Sequence, residues 1–341
     1  MGIDVKKILP TFICGHRRSG TTLLAAILDC HCDLLVYPED SKFFHLFFPK
    51  IAESDWTPRK KKDYLVKHNL GYLRNVLKNC SGVELPPERW STLVKVFDRY
   101  VGSSNDWKDY LLGMLSAYAS ITPQRTGSPR RWVEKTTSSE MYALKIDDAF
   151  PDSKFIHIIR DPRDNYASLK AGWESRYRHL SDTSTLELLR QSCIFRGRLG
   201  FEIGIMNQEV LGKHRYKIIR YEDLVDPGLK NSLLRDIAEF LEVSSSGFES
   251  MPTIAGTRWQ GNSFSEKTLL GVTSSRVGCW KNELDSEEAA LMEFSFLDSM
   301  RRFGYELRCS RKAQIQAASN HYKWMNACGG QKSDFSLAHL V

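Results

Sequence analysis

The sequence predicts an α/β protein: a three-layer fold with a central parallel sheet and a helical insertion,. Three observations predict it. A short apolar run, Thr11 to Cys14, passes through a glycine-bounded turn into a helical stretch. Lys154 to Ile159 (KFIHII) is a β-branched run that ends at an Asp161-Pro162 turn and a second helical pattern. Tyr216 to Arg220 (YKIIR) is another such run, ahead of the amphipathic stretch Asn231 to Leu241. Strands that alternate with helices pack as parallel sheets with both faces covered.

In chain order, Pro10 precedes the first strand, Thr11 to Cys14, and Gly15 to Gly20 form the turn that opens a helix over Thr21 to Leu28,. A strand end is expected near Glu39, followed by a short helix over Ser41 to Phe47. Residues 56–120 read as mostly helical, broken at Pro86-Pro87 and by a turn from Gly102 to Asn105,. Arg131 to Val133 reads as a short strand, and Thr137 to Phe150 as a helix capped by Thr137 or Ser138. The helix after the Asp161-Pro162 turn is expected from about Arg163 to Trp173. The expected organisation is a single domain over residues 8–310, with residues 50–130 as the acceptor-side insertion and a loosely patterned tail over 311–341.

Composition supports an ordinary globular chain of 341 residues, with 42% hydrophobic and 26% charged residues,. Mean hydropathy is −0.37, and no run of 18 apolar residues marks a membrane span. The N-terminus has no signal-peptide apolar core, and Lys6 breaks the myristoylation pattern that Gly2 begins. The net charge of +7 suits an anionic ligand better than a nucleic-acid coat,. The window Trp56 to Cys80 is +6 by itself, with Arg59, Lys60, Lys61, Lys62, Lys67, Arg74 and Lys78 against Asp63. The eight cysteines, Cys14, Cys30, Cys32, Cys80, Cys193, Cys279, Cys309 and Cys328, are scattered, which suits reduced thiols in the cytoplasm,. Cys30-His31-Cys32 lacks a second ligand pair at zinc-finger spacing, so no metal site is expected.

Two motifs carry chemistry. Gly15-His16-Arg17-Arg18-Ser19-Gly20-Thr21-Thr22 has P-loop spacing: two glycines five apart, then two hydroxyls,. Its backbone amides and the positive end of the following helix suit phosphate oxygens. The lysine that a nucleoside triphosphate needs after the second glycine is replaced by Thr21, and the loop's cation is Arg18. A nucleotide with one 5′-phosphate and a different group beyond it fits better. The second motif is Arg160-Asp161-Pro162-Arg163-Asp164-Asn165-Tyr166-Ala167-Ser168, at a strand's C-terminal end, where parallel sheets bind ligands,.

Together these motifs resemble those of sulfotransferases that use 3′-phosphoadenosine 5′-phosphosulfate (PAPS). GHRRSGTTLL resembles the family's 5′-phosphosulfate loop, and RDPRDNYAS its 3′-phosphate motif. Trp132-Val133-Glu134-Lys135-Thr136 is similar to the W-x-E-K-T segment, and Arg220-Tyr221-Glu222-Asp223-Leu224-Val225 to R-Y-E-D-L. Gln260-Gly261-Asn262-Ser263 and Arg276-Val277-Gly278-Cys279-Trp280-Lys281 resemble the C-terminal cofactor-closing region. The resemblance spans residues 11–285. Arg18 and the Pro38-Glu39 segment look closest to the tyrosylprotein and bacterial branch. The chain departs from many relatives in having Thr137-Ser138-Ser139 after E-K-T, and from the Golgi-resident tyrosylprotein enzymes in showing no anchor.

The resemblance implies roles. Arg17, Arg18, Ser19, Gly20, Thr21 and Thr22 would hold the 5′-phosphosulfate, and Arg160 and Ser168 the 3′-phosphate. Tyr221, Arg276 and Lys281 would complete the cofactor site. Arg18 and Lys135 would neutralise charge on the bridging, leaving or sulfuryl oxygens, and Glu39 would take the proton of the acceptor hydroxyl. His45, His16 and Asp40 compete for the base role, and a helix cap is the alternative for Glu39. No metal is required. Phe43, Phe44, Phe47, Trp107 and Tyr110 are either acceptor-pocket or core residues, and the 59–62 cations either an entrance for an anionic acceptor or a solvated helix end. The rival readings are a P-loop kinase or NTPase and a nucleic-acid binder that uses residues 59–78.

Overall fold

The computed structural model describes residues 3–29, 31–82, 84–122, 129–177, 183–248, 251–261 and 271–329. Cys30, Asn262, Ser263 and residues 330–341 of the tail lie outside these. Five strands, β1 (Leu9–Cys14), β2 (Leu34–Val36), β3 (Arg131–Lys135), β4 (Lys154–Ile159) and β5 (Tyr216–Arg220), form one sheet in the order β2-β3-β1-β4-β5. Every pairing is parallel. The strands are nearly continuous apolar runs because both faces are covered; β1 is buried from Pro10 to Cys14 and β3 throughout,. The expected α/β architecture is therefore present, with a helical insertion between β2 and β3.

The chain divides into two compact units. The first contains residues 1–159, 204–262 and 268–273. It holds the sheet, α1 (Thr21–Leu28), and the insertion helices α2 (Pro58–Leu65), α3 (Gly71–Ser81), α4 (Pro87–Val101) and α5 (Trp107–Ile121). Pro87 opens α4 at its first turn, where a missing N–H costs nothing,. Phe43, Phe44, Phe47 and Tyr110 are core residues, packed with Phe12, Phe97 and Trp132. Beyond α6 (Ala143–Ala149) the unit continues with α9 (Tyr221–Val225), α10 (Lys230–Leu241) and the hairpin β6–β7 (Thr253–Ile254, Thr257–Arg258). The second unit begins at Arg160 and carries α7 (Pro162–Tyr177), α11 (Trp280–Glu283), α12 (Ser286–Ser295), α13 (Leu297–Arg302) and α14 (Arg311–Gly329). A long helix, α8 (Thr183–Leu211), runs from residues of the second unit into residues of the first.

Three expected elements differ. Glu39 is not at a strand end: β2 stops at Val36, and Glu39 sits in a left-handed turn at φ 61°. The segment expected as a helix over 41–47 is a π-helical turn, Phe43–Phe47, led by Lys42 at φ 56°. Thr137 to Phe150 is a 3-10 turn, Ser139–Tyr142, followed by α6. Ser138 lies at φ 62° and makes no side-chain cap, while the Thr137 hydroxyl bonds to Asp40 and His45. The tail begins as a helix, α14. In α14, Gln314 is buried and donates to Glu293 of α12. Among the described residues no helix is long and apolar enough to cross a membrane.

Candidate active site

In the first unit, the turn after β1 is held open from below. Gly15 has φ 139°, and a Cβ there would lie 2.3 Å from the Ile158 carbonyl oxygen. Gly20 has φ 104°, and a Cβ there would lie 2.5 Å from the Tyr221 ring. Both positions therefore require glycine. Tyr221, which the resemblance assigns to the cofactor site, is buried in the core cluster, and its ring lies against Gly20. Arg18 also adopts a left-handed conformation, φ 66°. Arg17 is exposed, Arg18 is half-buried, and Ser19 and His16 are buried. The N-cap of α1 is Gly20, which has no side chain to cap the helix, and the first turn carries two buried hydroxyls, Thr21 and Thr22,.

Parallel register places the next residue. Ile13 of β1 pairs with Lys135 of β3, so Lys135 ends its strand level with the start of the loop. It is not an exposed strand-end lysine but is buried. Its Nζ lies 3.1 Å from Thr22 Oγ1, 3.6 Å from Asp40 Oδ2 and 3.9 Å from Glu39 Oε2. Glu39 Oε2 is itself buried and receives no hydrogen bond. Glu39 does not cap the following turn. Asp40 Oδ1 accepts from the Lys42 amide, and Ser41 Oγ accepts from the Phe43 amide.

Asp40 is more firmly held than Glu39. Its Oδ2 accepts from the Thr137 amide and hydroxyl, both at 3.3 Å. Burial pushes its carboxyl up, but Lys135, His45 and the Lys42 and Thr137 amides outweigh that and hold it below the ordinary carboxylate range,. His45 is exposed and shares a 2.9 Å hydrogen bond with the Thr137 hydroxyl. Asp40 and His45 are thus both tied to Thr137.

Two buried carboxyls brace this site. Glu134 Oε1 accepts from Ser41 Oγ and from Thr136 Oγ1, and burial pushes its carboxyl up to about 7. Glu140 Oε2 accepts the Gly15 amide at 3.0 Å, and burial likewise pushes it up to about 7. Glu140 went unread in the sequence because it sits on a 3-10 turn with no periodic signal. Asn207 of α8 donates to the Glu140 carbonyl at 2.9 Å, which anchors that turn.

In the second unit, the 160–168 motif and the 276–281 segment are latched together. Arg160 Nη2 donates to the Arg276 carbonyl at 2.6 Å. Asp164 accepts from the Gly278 amide at 2.6 Å and from the Trp280 amide at 2.9 Å. Burial raises the Asp164 carboxyl, although Arg160 and these amides pull it back. Arg163 pairs with Asp161 and with buried Glu293, its guanidinium 4.1 Å above the Trp280 ring. Arg160 and Ser168 are buried, at 6% and 5% exposure. Arg276 forms a bidentate pair with Glu283, at 2.6 and 2.9 Å, against which any anion must compete. The Lys281 ammonium would lie 3.8 Å from a Cβ at Gly278. Asp164 was in plain view inside the motif, but its spacing carries no hint of a latch.

His31, Cys32 and Asp33 are close enough to share an ion. His31, however, uses both ring nitrogens, Nε2 at 2.8 Å from the Ser244 carbonyl and Nδ1 as acceptor of the Asp33 amide at 3.1 Å. Those two contacts lock the turn between α1 and β2.

The sulfotransferase family model matches residues 10–246. Among solved structures, the sulfotransferase domain of the Synechococcus PCC 7002 olefin synthase is similar, with 21% identity and a TM-score of 0.56 over 90% of this chain and 99% of that one. The sulfotransferase domain from the curacin biosynthetic pathway is similar at 20% identity and a TM-score of 0.58, over 88% of this chain and 100% of that one. At these identities the two structures show a shared fold. No curated protein matches the chain by sequence. With the family match covering most of the sheet and both motifs, the chain belongs to the sulfotransferase family and is an enzyme of the PAPS-dependent sulfotransferase class.

Proposed function

We propose that Glu39, Lys135 and Arg18 carry sulfuryl transfer to an acceptor hydroxyl, and that Glu39 is the base. The observation that carries this reading is Glu39 Oε2: a buried carboxylate oxygen without a hydrogen-bond donor, 3.9 Å from a buried lysine that also reaches the phosphate-loop hydroxyl Thr22. Asp40, the neighbouring carboxylate, already has its oxygens committed to Lys42 and Thr137. Glu39 therefore has the open acceptor site for a proton.

The loop suits the 5′-phosphosulfate end of PAPS. The glycines are fixed by packing, the α1 N-cap is Gly20, and Ser19, Thr21 and Thr22 stand in the loop and first turn with Arg17 and Arg18,. PAPS supplies a sulfuryl group on a phosphate leaving group. Lys135 would balance the negative charge that grows on the leaving oxygen, in a site too dry for water to do so. Arg160 and Ser168 would take the 3′-phosphate, with Arg276 and Lys281 nearby in the latched segment. Tyr221 would act through Gly20, by holding the loop in shape. Arg18 and Glu39 favour the tyrosylprotein and bacterial branch of the family. The free thiols Cys14, Cys32, Cys80, Cys193, Cys279 and Cys309 suit a cytoplasmic setting,.

The test is Glu39→Gln, which keeps the size of the side chain. Turnover at saturating PAPS should fall about 10²–10⁴-fold, the usual cost of a lost general base. Binding of adenosine 3′,5′-bisphosphate, followed by calorimetry, should persist. Near-normal turnover would remove Glu39 from the mechanism and make His45 the first candidate.

A further inference from the structure

The insertion carries a cavity of about 280 Å³, just below the ~300 Å³ at which small-molecule pockets begin,. Its wall is mainly apolar, with Leu77, Leu85, Tyr118 and Ile121, although Glu84 and Arg89 also line it.

Several contacts tie this cavity to the turn that bears Glu39. Tyr118 meets Tyr37 edge to face at 5.5 Å, and Tyr37 is two residues before Glu39. Asn69 donates to the Ser41 carbonyl at 3.0 Å, and the Lys42 ammonium sits 3.6 Å over the Tyr72 ring. From Tyr72, α3 runs about 12 Å to Cys80 at the cavity. The Cys80 thiol is raised by burial first and then by the charges of Glu39 and Asp29, so the cavity wall lies within the field of the candidate base.

Much of the basic window is already engaged within the protein. Lys61 is buried on the Ala52 carbonyl, Lys62 pairs with Asp98, and Arg74 and Lys78 both pair with Glu84. Four of the seven window cations are thus turned inward or already paired, which leaves Arg59, Lys60 and Lys67 exposed, while the cavity wall is mainly apolar.

We propose that this cavity receives the hydrocarbon end of the acceptor, and that the acceptor is an elongated aliphatic alcohol whose hydroxyl reaches Glu39. This rests on the sulfuryl-transfer reading above and adds its substrate class. An apolar chain in such a cavity gains about 0.8 kcal/mol per buried methylene, or about fourfold in affinity. The gain stops when the cavity is full.

The experiment measures sulfate transfer from labelled PAPS to unbranched primary alcohols from butanol to hexadecanol, with calorimetric binding of adenosine 3′,5′-bisphosphate alongside. KM should fall about fourfold per methylene and then level off. Leu77→Trp should move that plateau to shorter chains and Leu77→Ala to longer ones, so the two variants report in opposite senses. If the bisphosphate binds but KM is flat with chain length, or sulfate goes only to glycans or acidic tyrosine peptides, the cavity assignment is overturned and sulfuryl transfer stands. If the bisphosphate does not bind at all, the sulfuryl-transfer reading fails and takes this inference with it.

Discussion

Replacing Lys135 with methionine probes the site's electrostatics at its centre. The ammonium is 2% exposed and lies 3.6 Å from Asp40 and 3.9 Å from Glu39, whose side chains are 14% and 24% exposed. Methionine has a similar length and fills the space, so the packing loss is small. What remains is two neighbouring carboxylates without their cation. Removing one partner of a buried pair costs about 3–5 kcal/mol, mostly the penalty of the charge left behind. Asp40 sets the pH dependence. Its folded-state carboxyl is held below the ordinary range, so the wild type keeps this stabilisation at neutral pH and loses it only as pH falls through that depressed value,. In Lys135→Met the largest lowering influence is gone, so burial and the second carboxylate push Asp40 upward against only His45 and the two amides. The variant can then relieve its strain by taking up a proton at a higher pH. Urea unfolding across the acid range should show a deficit of about 3–5 kcal/mol at pH 7 that shrinks steadily on acidification. A deficit independent of pH would mean that Lys135 acts by packing alone, and the charge cluster would have to be abandoned.

Other perturbations separate the remaining roles. Arg160→Ala should weaken adenosine 3′,5′-bisphosphate binding by about 1.5–3 kcal/mol, the worth of a charge-assisted hydrogen bond, and Ser168→Ala by less; calorimetry showing parent-like affinity in both would misplace the 3′-phosphate site. Glu140 has a folded-state carboxyl raised to about 7, so its contribution is fully present below the ordinary glutamate value and is lost as pH rises through about 7,. Glu140→Gln keeps an acceptor for the Gly15 amide and should flatten that part of the stability–pH curve; an unchanged slope in chemical denaturation would show that Glu140 does not titrate there.

Much of the sheet was legible because buried parallel strands advertise themselves. KFIHII and YKIIR are continuous β-branched runs, and the observed strands match them residue for residue. The phosphate loop was legible for a different reason. Gly15 and Gly20 face a carbonyl and an aromatic ring that leave no room for a Cβ, so the spacing of the glycines records tertiary contacts. The long helix α8 was not read. Gly197, Gly200 and Gly204 interrupt its pattern, and Gly204 is required because the His157 ring occupies the space of its Cβ, at 2.5 Å. Helix α12 did leave a signal, the capping box of Asp285 and Glu288,.

The site was half legible. Lys135 followed from its segment, but its burial and its contacts with Thr22, Glu39 and Asp40 depend on strand register, which the sequence shows only after the order β2-β3-β1 is known. The turn at Glu39 was misread as a strand end because left-handed residues at 39 and 42 are neither glycine nor asparagine. The pairing of Lys62, Arg74 and Lys78 in the basic window was not legible because their acidic partners, Asp98 and Glu84, lie outside it in the chain.

The central claim is that the loop with Arg18, and Thr21 in place of a lysine, serves a 3′,5′-bisphosphate nucleotide rather than a triphosphate. Calorimetric titration of the protein with adenosine 3′,5′-bisphosphate and, separately, with ATP and magnesium tests it most directly. The account predicts saturable binding of the bisphosphate that is weakened in Arg160→Ala, and no comparable binding of ATP. Tight ATP binding with no bisphosphate binding would contradict it.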